Sequence, residues 1–480
     1  MFLELDGKGA LYAQLARALK CAILEGQLKA GTALPATRAL AAELALSRNT
    51  VLTAYEMLCA EQLAVARVGA GTFVSTSMVS AHRPKAKVAV PAQTRYAARL
   101  RGLPPLALRS VARRLRYDLH YGEPWVDPPL VTAWRRELAR AAAAGSWGYP
   151  PGTGLRSLRQ AIADYLGRRR GVVCHADDVV VVNGTQQAVS LLARVLLDEG
   201  ALVAIEDPGY ELTSRALQAH GARLLPVKVD AEGMRVATLP RAKGVRLVQV
   251  SPSHQFPSGA TMSLARRMAL LDYAAARGCW VLEDDYDGEF RHDGAAMPAL
   301  RSLDLRERVI YVGSFSKVLF PGLRLGYVVC PSGLRDDLVA AKFNDDLGCS
   351  SIEQAALAAL MQGGAFDRHL RHAAAELRRR RAALLDGLRK HCSEHLVVHD
   401  SRAGMHVVGW LPDWTPPQVE ALAALAAARG LGLHPIGPHY RRQPAPQGLL
   451  LGYAALSAKQ LQAATVLLGE CLDRGAVRVR

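Results

Sequence analysis

Lys317 closes the run Gly313-Ser314-Phe315-Ser316-Lys317, with Arg324 seven residues on and the acidic run Glu283-Asp284-Asp285-Tyr286-Asp287 upstream. A lysine just past an apolar strand-like segment, Val309–Val312, and flanked by hydroxyl residues can form a Schiff base beside a phosphate. A carboxylate at the end of the apolar segment Trp280–Leu282 can keep a pyridine nitrogen protonated, so that the ring acts as an electron sink. Phosphate needs backbone N–H groups, hydroxyls and a cation converging on one point. Asn183-Gly184-Thr185-Gln186 follows the apolar run Val179–Val182 and opens a helical stretch to about Asp198, whose N-terminus can meet an anion. Ser314 and Ser316 supply hydroxyls, and Arg324 supplies a bidentate cation. In this order, at the carboxyl ends of strand-like segments, the groups describe a pyridoxal 5'-phosphate pocket. Asp284 can pair with the pyridine nitrogen and Tyr286 can reach the ring hydroxyl. Spacing does not choose between Asp284 and Asp285, and taken singly Asp285 and Asp287 read as an acidic turn.

The elements around these groups divide the chain. Leu11, Leu15, Leu19, Ala22 and Ile23 fall at helical spacing, and Gly26 ends that helix. A second helix is predicted over roughly Thr37 to Leu44. Ser47 is a good N-cap for a third, which carries Val51, Ala54, Tyr55 and Leu58 on one face. Two β segments, Leu63–Arg67 and Thr72–Ser75, then join across Gly69-Ala70-Gly71. This is the layout of a winged helix-turn-helix, predicted over residues 1–76. Ser47 puts Arg48, Asn49 and Thr50 in the first turn of the recognition helix, where they meet bases and phosphates. Arg38 is placed for a phosphate contact, and the wing tip at Gly71 for the minor groove.

Residues 77–113 read as a basic linker without clear periodicity, and 114–480 as one cofactor-binding domain. There strand-like runs alternate with helical ones, indicating an α/β lobe on a largely parallel sheet. After about 350 the chain is mostly helical, with β-like segments near Met405–Trp410 and Leu449–Tyr453, a smaller C-terminal α+β lobe. The run Arg378–Arg381 reads as a solvated helix face.

Net charge is +17, and residues 81–120 hold 10 Lys and Arg against 1 acidic residue. A polybasic tether there suits attraction to a phosphate backbone, which residues 1–80, with 7 basic and 6 acidic residues, do not supply themselves. Half the residues are apolar, which excludes a disordered chain, and no apolar stretch approaches membrane-spanning length. Eight cysteines without a Cys-x-x-Cys pair suit a reducing cytoplasm, and the histidines show no metal-ligand pattern.

The chain resembles MocR/GabR-type regulators, in which a GntR-family winged helix is fused to a fold-type I aminotransferase-like domain. The resemblance rests on Leu34-Pro35-Ala36-Thr37-Arg38, Leu46-Ser47-Arg48-Asn49-Thr50-Val51 and Gly69-Ala70-Gly71-Thr72-Phe73-Val74 at the N-terminus. Further on it rests on Glu206-Asp207-Pro208-Gly209-Tyr210, Pro252-Ser253-His254-Gln255-Phe256-Pro257, the Glu283–Phe290 run and Ser314–Gly326. It implies that Lys317 bonds the cofactor, Asp284 pairs with the ring nitrogen and Tyr286 with the ring hydroxyl. Gly184, Thr185, Ser314, Ser316 and Arg324 would hold phosphate, Tyr210 would border the effector side, and His254 and Gln255 would stand near the ring. The resemblance also implies a homodimer, which would bind double-stranded DNA at repeated half-sites. Two departures stand out. Leu449-Leu450-Leu451 occupies the stretch where such aminotransferases carry an arginine for the substrate carboxylate, and Leu212 stands where a GABA-sensing relative has arginine. Arg441 or Arg442 could substitute. The expected function is a transcriptional regulator sensing pyridoxal phosphate, an amine or an amino acid. The alternative is a working aminotransferase with an accessory winged helix.

Overall fold

The computed structural model describes residues 5–76, 93–104, 115–145, 148–242, 244–292, 297–399, 401, 403–442 and 445–477. Two compact units result, Met1–Gln93 and Thr94–Arg480.

The smaller unit contains helices Leu11–Leu24, Thr37–Glu43 and Arg48–Ala60, followed by the antiparallel pair Ala64–Arg67 and Gly71–Val74. Leu15, Leu19, Leu40, Val51, Ala54 and Leu58 fill its core, the apolar faces that helical periodicity requires. Ser47 caps the third helix by accepting from the Thr50 N–H at 3.0 Å. Gly69 and Gly71 turn the hairpin at φ 77° and 103°, in the left-handed region glycine adopts without cost.

The larger unit is built on an eight-stranded mixed sheet. In spatial order its strands are Val179–Val182, Gly326–Val329, Val309–Ser314, Trp280–Asp285, Val245–Val250, Leu202–Asp207, Arg223–Asp230 and Gly233–Met234. Five neighbouring strands, from Val309–Ser314 to Arg223–Asp230, run parallel, while Gly326–Val329 is antiparallel to both neighbours. Strands covered on both faces are apolar throughout, as in Val179-Val180-Val181-Val182. Their side chains alternate. Val180, Val182, Leu282, Ile310 and Val312 share one core with Leu191 and Leu192 of the helix Thr185–Leu196. Val179, Val181, Tyr311 and Tyr327 belong to the core on the opposite face. Arg223–Asp230 gave no clear strand signal because Pro226 interrupts it and its apolar residues are mostly only partly buried, Val227 alone being buried.

The C-terminal part carries a four-stranded antiparallel sheet, ordered Val397–His399, His406–Trp410, Gly448–Gly452 and His434–Pro435. The long helices Ala365–His391 and Ala458–Val477 accompany it.

Two expectations need correction. Most of the stretch 77–113 lies outside the described residues, but Arg95–Gly102 within it is a helix, capped by Thr94. Its Arg99 donates to the Ala219 carbonyl at 2.9 Å and, with Arg95, pairs with Glu199, so these two positive charges are engaged with the larger unit. The run Arg378–Arg381 is not a uniformly solvated face either. Arg380 is buried, held by Glu376 and the Ala454 carbonyl, because the helix turns that side toward the core.

Candidate functional site

The carboxyl ends of the parallel strands open into a cavity of about 660 Å³. Lys317 follows the strand Val309–Ser314, and its Nζ donates to the Gly122 carbonyl at 2.8 Å. Burial pushes its amine below the ordinary lysine value, against the pull of Asp287, Asp284 and Glu123. A larger neutral fraction makes the amine a better nucleophile.

Asp284 also lines this cavity. It lies beside Val312 on the neighbouring parallel strand. The pleat sends Asp285 to the opposite face, where its carboxylate accepts from Arg170 Nε at 2.7 Å and the Tyr311 hydroxyl at 2.6 Å. Asp285 is therefore no turn residue, whereas Asp287 opens the turn closed by the Phe290 N–H on its carbonyl at 3.0 Å, with its carboxylate buried against His254 Nδ1 at 2.9 Å. Strand pleating overturns the acidic-turn reading of Asp285, while Asp287 keeps its turn position and adds a buried carboxylate. Asp284 Oδ1 is buried with no hydrogen-bond partner, and burial, reinforced by Asp285 and Asp287, pushes its pKa to about 7. A buried carboxyl oxygen without a donor is costly, and a protonated ring nitrogen is the kind of donor that would satisfy it.

Thr185, Tyr210, Tyr286, Ser314, Ser316 and Arg324 line the same cavity. The Tyr286 hydroxyl lies 3.0 Å from His254 Nδ1, and burial raises the Tyr210 phenol to about 12. Gly184, at φ 79°, packs under Arg324, where a Cβ would stand 2.8 Å from Nη2. Only glycine allows that approach. An amine, an unsatisfied acid, a guanidinium and serine hydroxyls around one cavity fit pyridoxal phosphate.

In the smaller unit Arg38, Arg48, Asn49 and Gly71 are exposed. Ser47 Oγ is 2.8 Å from Thr50 Oγ1, so both hydroxyls serve the cap. The exposed first turn of Arg48–Ala60 thus presents Arg48 and Asn49.

Residues 11–74 match the model of the gntR family of bacterial regulatory proteins, and residues 118–434 match aminotransferase class I and II. The chain is 35% identical over 468 residues to the probable rhizopine catabolism regulatory protein MocR of Rhizobium meliloti, covering 96% of this chain and 94% of that protein. It belongs to the MocR-type GntR regulators. Another such relative, 30% identical over 92% of this chain and 91% of its own length, is the HTH-type pyridoxine biosynthesis transcriptional regulator PdxR of Corynebacterium glutamicum. Among solved structures, the α-aminoadipate aminotransferase LysN of Thermus thermophilus, complexed with N-(5'-phosphopyridoxyl)-L-leucine, superposes with a TM-score of 0.72 at 28% identity. The alignment covers 80% of this chain and 98% of LysN.

Against the MocR-type pattern, several lining residues had no signal in the sequence. Gly122 holds Lys317, and a Cβ there would lie 2.5 Å from Nζ. Tyr121, His406, His434 and His439 complete the wall together with Phe256 of the Pro252–Pro257 run. Neither His254 nor Gln255 lines it; both are buried behind it, Gln255 donating to the Pro208 carbonyl at 2.8 Å. Arg441 and Arg442 do not supply the missing clamp. Arg441 reaches Gln218 at 3.1 Å, and Arg442 reaches the Pro226 carbonyl at 2.5 Å. Among the described residues no helix is long and apolar enough to cross a membrane.

Proposed function

We propose that this MocR-type regulator holds pyridoxal phosphate at Lys317 and couples occupancy of that site, by the cofactor or by an amine or amino acid, to DNA affinity. The observation that carries the reading is the pairing of the Lys317 amine with the partnerless Asp284 oxygen around one cavity, on a chain that also bears a winged helix. When bound, pyridoxal phosphate supplies an electrophilic carbonyl and an electron-withdrawing ring. The protein's own groups bind and orient. Arg324, Ser314, Ser316 and the Gly184-Thr185 helix start would hold the phosphate, Asp284 would accept a hydrogen bond from the protonated ring nitrogen and keep it protonated, and Tyr286 would meet the ring hydroxyl. Lys317, whose amine burial shifts toward the neutral form, is the attaching amine.

In the smaller unit Arg48 and Asn49 read bases, Arg38 grips phosphate, Gly71 carries the wing tip, and Ser47 and Thr50 brace the turn. The homodimer implied by the resemblance would bind paired half-sites in cytoplasmic DNA. The same lysine and aspartate would serve a working aminotransferase. Leu212 in the wall and the buried Leu450 favour sensing over amino-acid turnover.

The test is binding of the full chain to DNA upstream of its own gene, with and without pyridoxal phosphate, beside Lys317→Ala. Salt-sensitive binding that responds to cofactor only with Lys317 present is expected. Multiple turnover of an amino acid by a protein without specific DNA binding would overturn the proposal.

A further inference from the structure

Apart from the groups assigned to the cofactor, the cavity wall is an aromatic and imidazole surface. Tyr121 and Phe256 lie 5.2 Å apart between ring centroids, Phe256 and His439 4.9 Å, Phe256 and His406 5.8 Å, and Tyr121 and His434 5.9 Å. Leu212 adjoins them, and Leu450 lies fully buried in the same apolar cluster as Phe256. Among the described residues lining the cavity, the only lysine and arginine are Lys317 and Arg324, both committed to cofactor. The anionic side is richer, with Glu211, Asp284 and Asp287 in the lining.

The imidazoles do not replace the missing cation. His406 donates through Nε2 to the Pro257 carbonyl at 3.0 Å, which leaves Nδ1 as an acceptor. Burial pushes it to about 3 and His439 to about 4, so both are neutral near pH 7. His439 Nε2 is 3.3 Å from the Tyr121 hydroxyl, and its Nδ1 is buried without a partner. His434 is turned to Asp118, with Nε2 at 2.7 Å. A carboxylate brought against this wall would lose its hydration and gain no cation. A hydroxyl can both give and take a hydrogen bond, so it suits neutral imidazoles. The nearby carboxylates favour an ammonium on approach.

Building on the proposed cofactor site, we propose that the effector is a primary amine that carries hydroxyl groups and no carboxylate, with a hydroxyl bound by His439 and Tyr121. Aromatic faces at Tyr121 and Phe256 cover its carbon skeleton.

The test uses dialysed, pyridoxal phosphate-loaded full chain and matched amine pairs. Serinol is compared with serine, and 4-aminobutan-1-ol with 4-aminobutanoate, by the change each makes in the absorbance of the bound cofactor. Each amino alcohol is expected to act at roughly tenfold lower concentration than its amino acid, the worth of a charge left unpaired. Leu212→Arg is expected to reverse the order, and His439→Phe to abolish the preference. An amino acid that acts at equal or lower concentration than its amino alcohol overturns the inference. So does silence toward all four amines in a protein whose cofactor absorbance differs from that of Lys317→Ala. A wild type indistinguishable from Lys317→Ala at saturating cofactor removes the cofactor reading itself, and the inference with it.

Discussion

Asp284→Asn should remove one of the buried acids that make the cofactor-free protein less stable as pH rises. Burial lifts Asp284 from the ordinary value of 3.8 to about 7, so the folded state holds this proton more tightly than the unfolded chain does. For an acid raised in this way, stability is fully present below the unfolded pKa and is lost as pH rises toward the folded one. At about 1.4 kcal/mol for each pH interval, the total is roughly 4 kcal/mol, and about 2.5 kcal/mol of it is lost between pH 5 and pH 8. Glu206, raised by burial to about 8, and Glu283 and Glu289, each raised by burial to about 7, titrate over the same window, so the wild type alone does not isolate Asp284. The stability difference between wild type and variant does. Urea melts of the cofactor-free proteins at pH 5, 6, 7 and 8 should show wild type losing about 2.5 kcal/mol relative to Asp284→Asn across that range. Any constant cost of the new amide cancels from the slope. Pyridoxal phosphate should remove most of the difference in wild type, because its ring nitrogen would give the carboxylate a partner. A difference that does not change with pH would refute the argument that Asp284 is a buried acid without a donor.

Other outcomes follow from the same geometry. Gly184→Ala places a Cβ 2.8 Å from Arg324 Nη2 at a backbone φ of 79°, so it should displace the guanidinium. Pyridoxal phosphate affinity, measured by fluorescence titration, should fall roughly tenfold or more, as expected for losing a charged hydrogen bond. Ser47→Ala removes the acceptor of the Thr50 N–H and should destabilise the smaller unit by about 1 kcal/mol in thermal melts. In mobility-shift titrations at several salt concentrations, Arg48→Ala should cost about 1–3 kcal/mol of operator binding and relax specificity at the base it reads. Arg38→Ala should instead weaken binding to all sequences and reduce its salt dependence by about one charge.

The residues themselves determined what depends on near neighbours. Ser47 capping a helix, four consecutive valines in a covered strand and the Gly69–Gly71 turn are decided by local sterics and local hydrogen bonds. For the same reason the run from Ser314 to Arg324 suggested an amine beside a phosphate site before any fold was known. Tertiary structure alone decided which aspartate faces the cavity. Asp284 and Asp285 have the same side chain one residue apart, and the strand's register and the buried Arg170 on its other face separate them. It also decided the aromatic and imidazole wall of the cavity. Tyr121, Phe256 and the histidines His406, His434 and His439 come from three stretches of the chain whose ends, Tyr121 and His439, are 318 residues apart, and no spacing in the chain encodes their approach. The same holds for Gly122, whose carbonyl meets Lys317 from 195 residues away. A sequence states which groups exist and which local shapes they prefer. Their distances, burial and proton affinities arise only when sheet and core bring separate segments together, because those properties depend on neighbours through space.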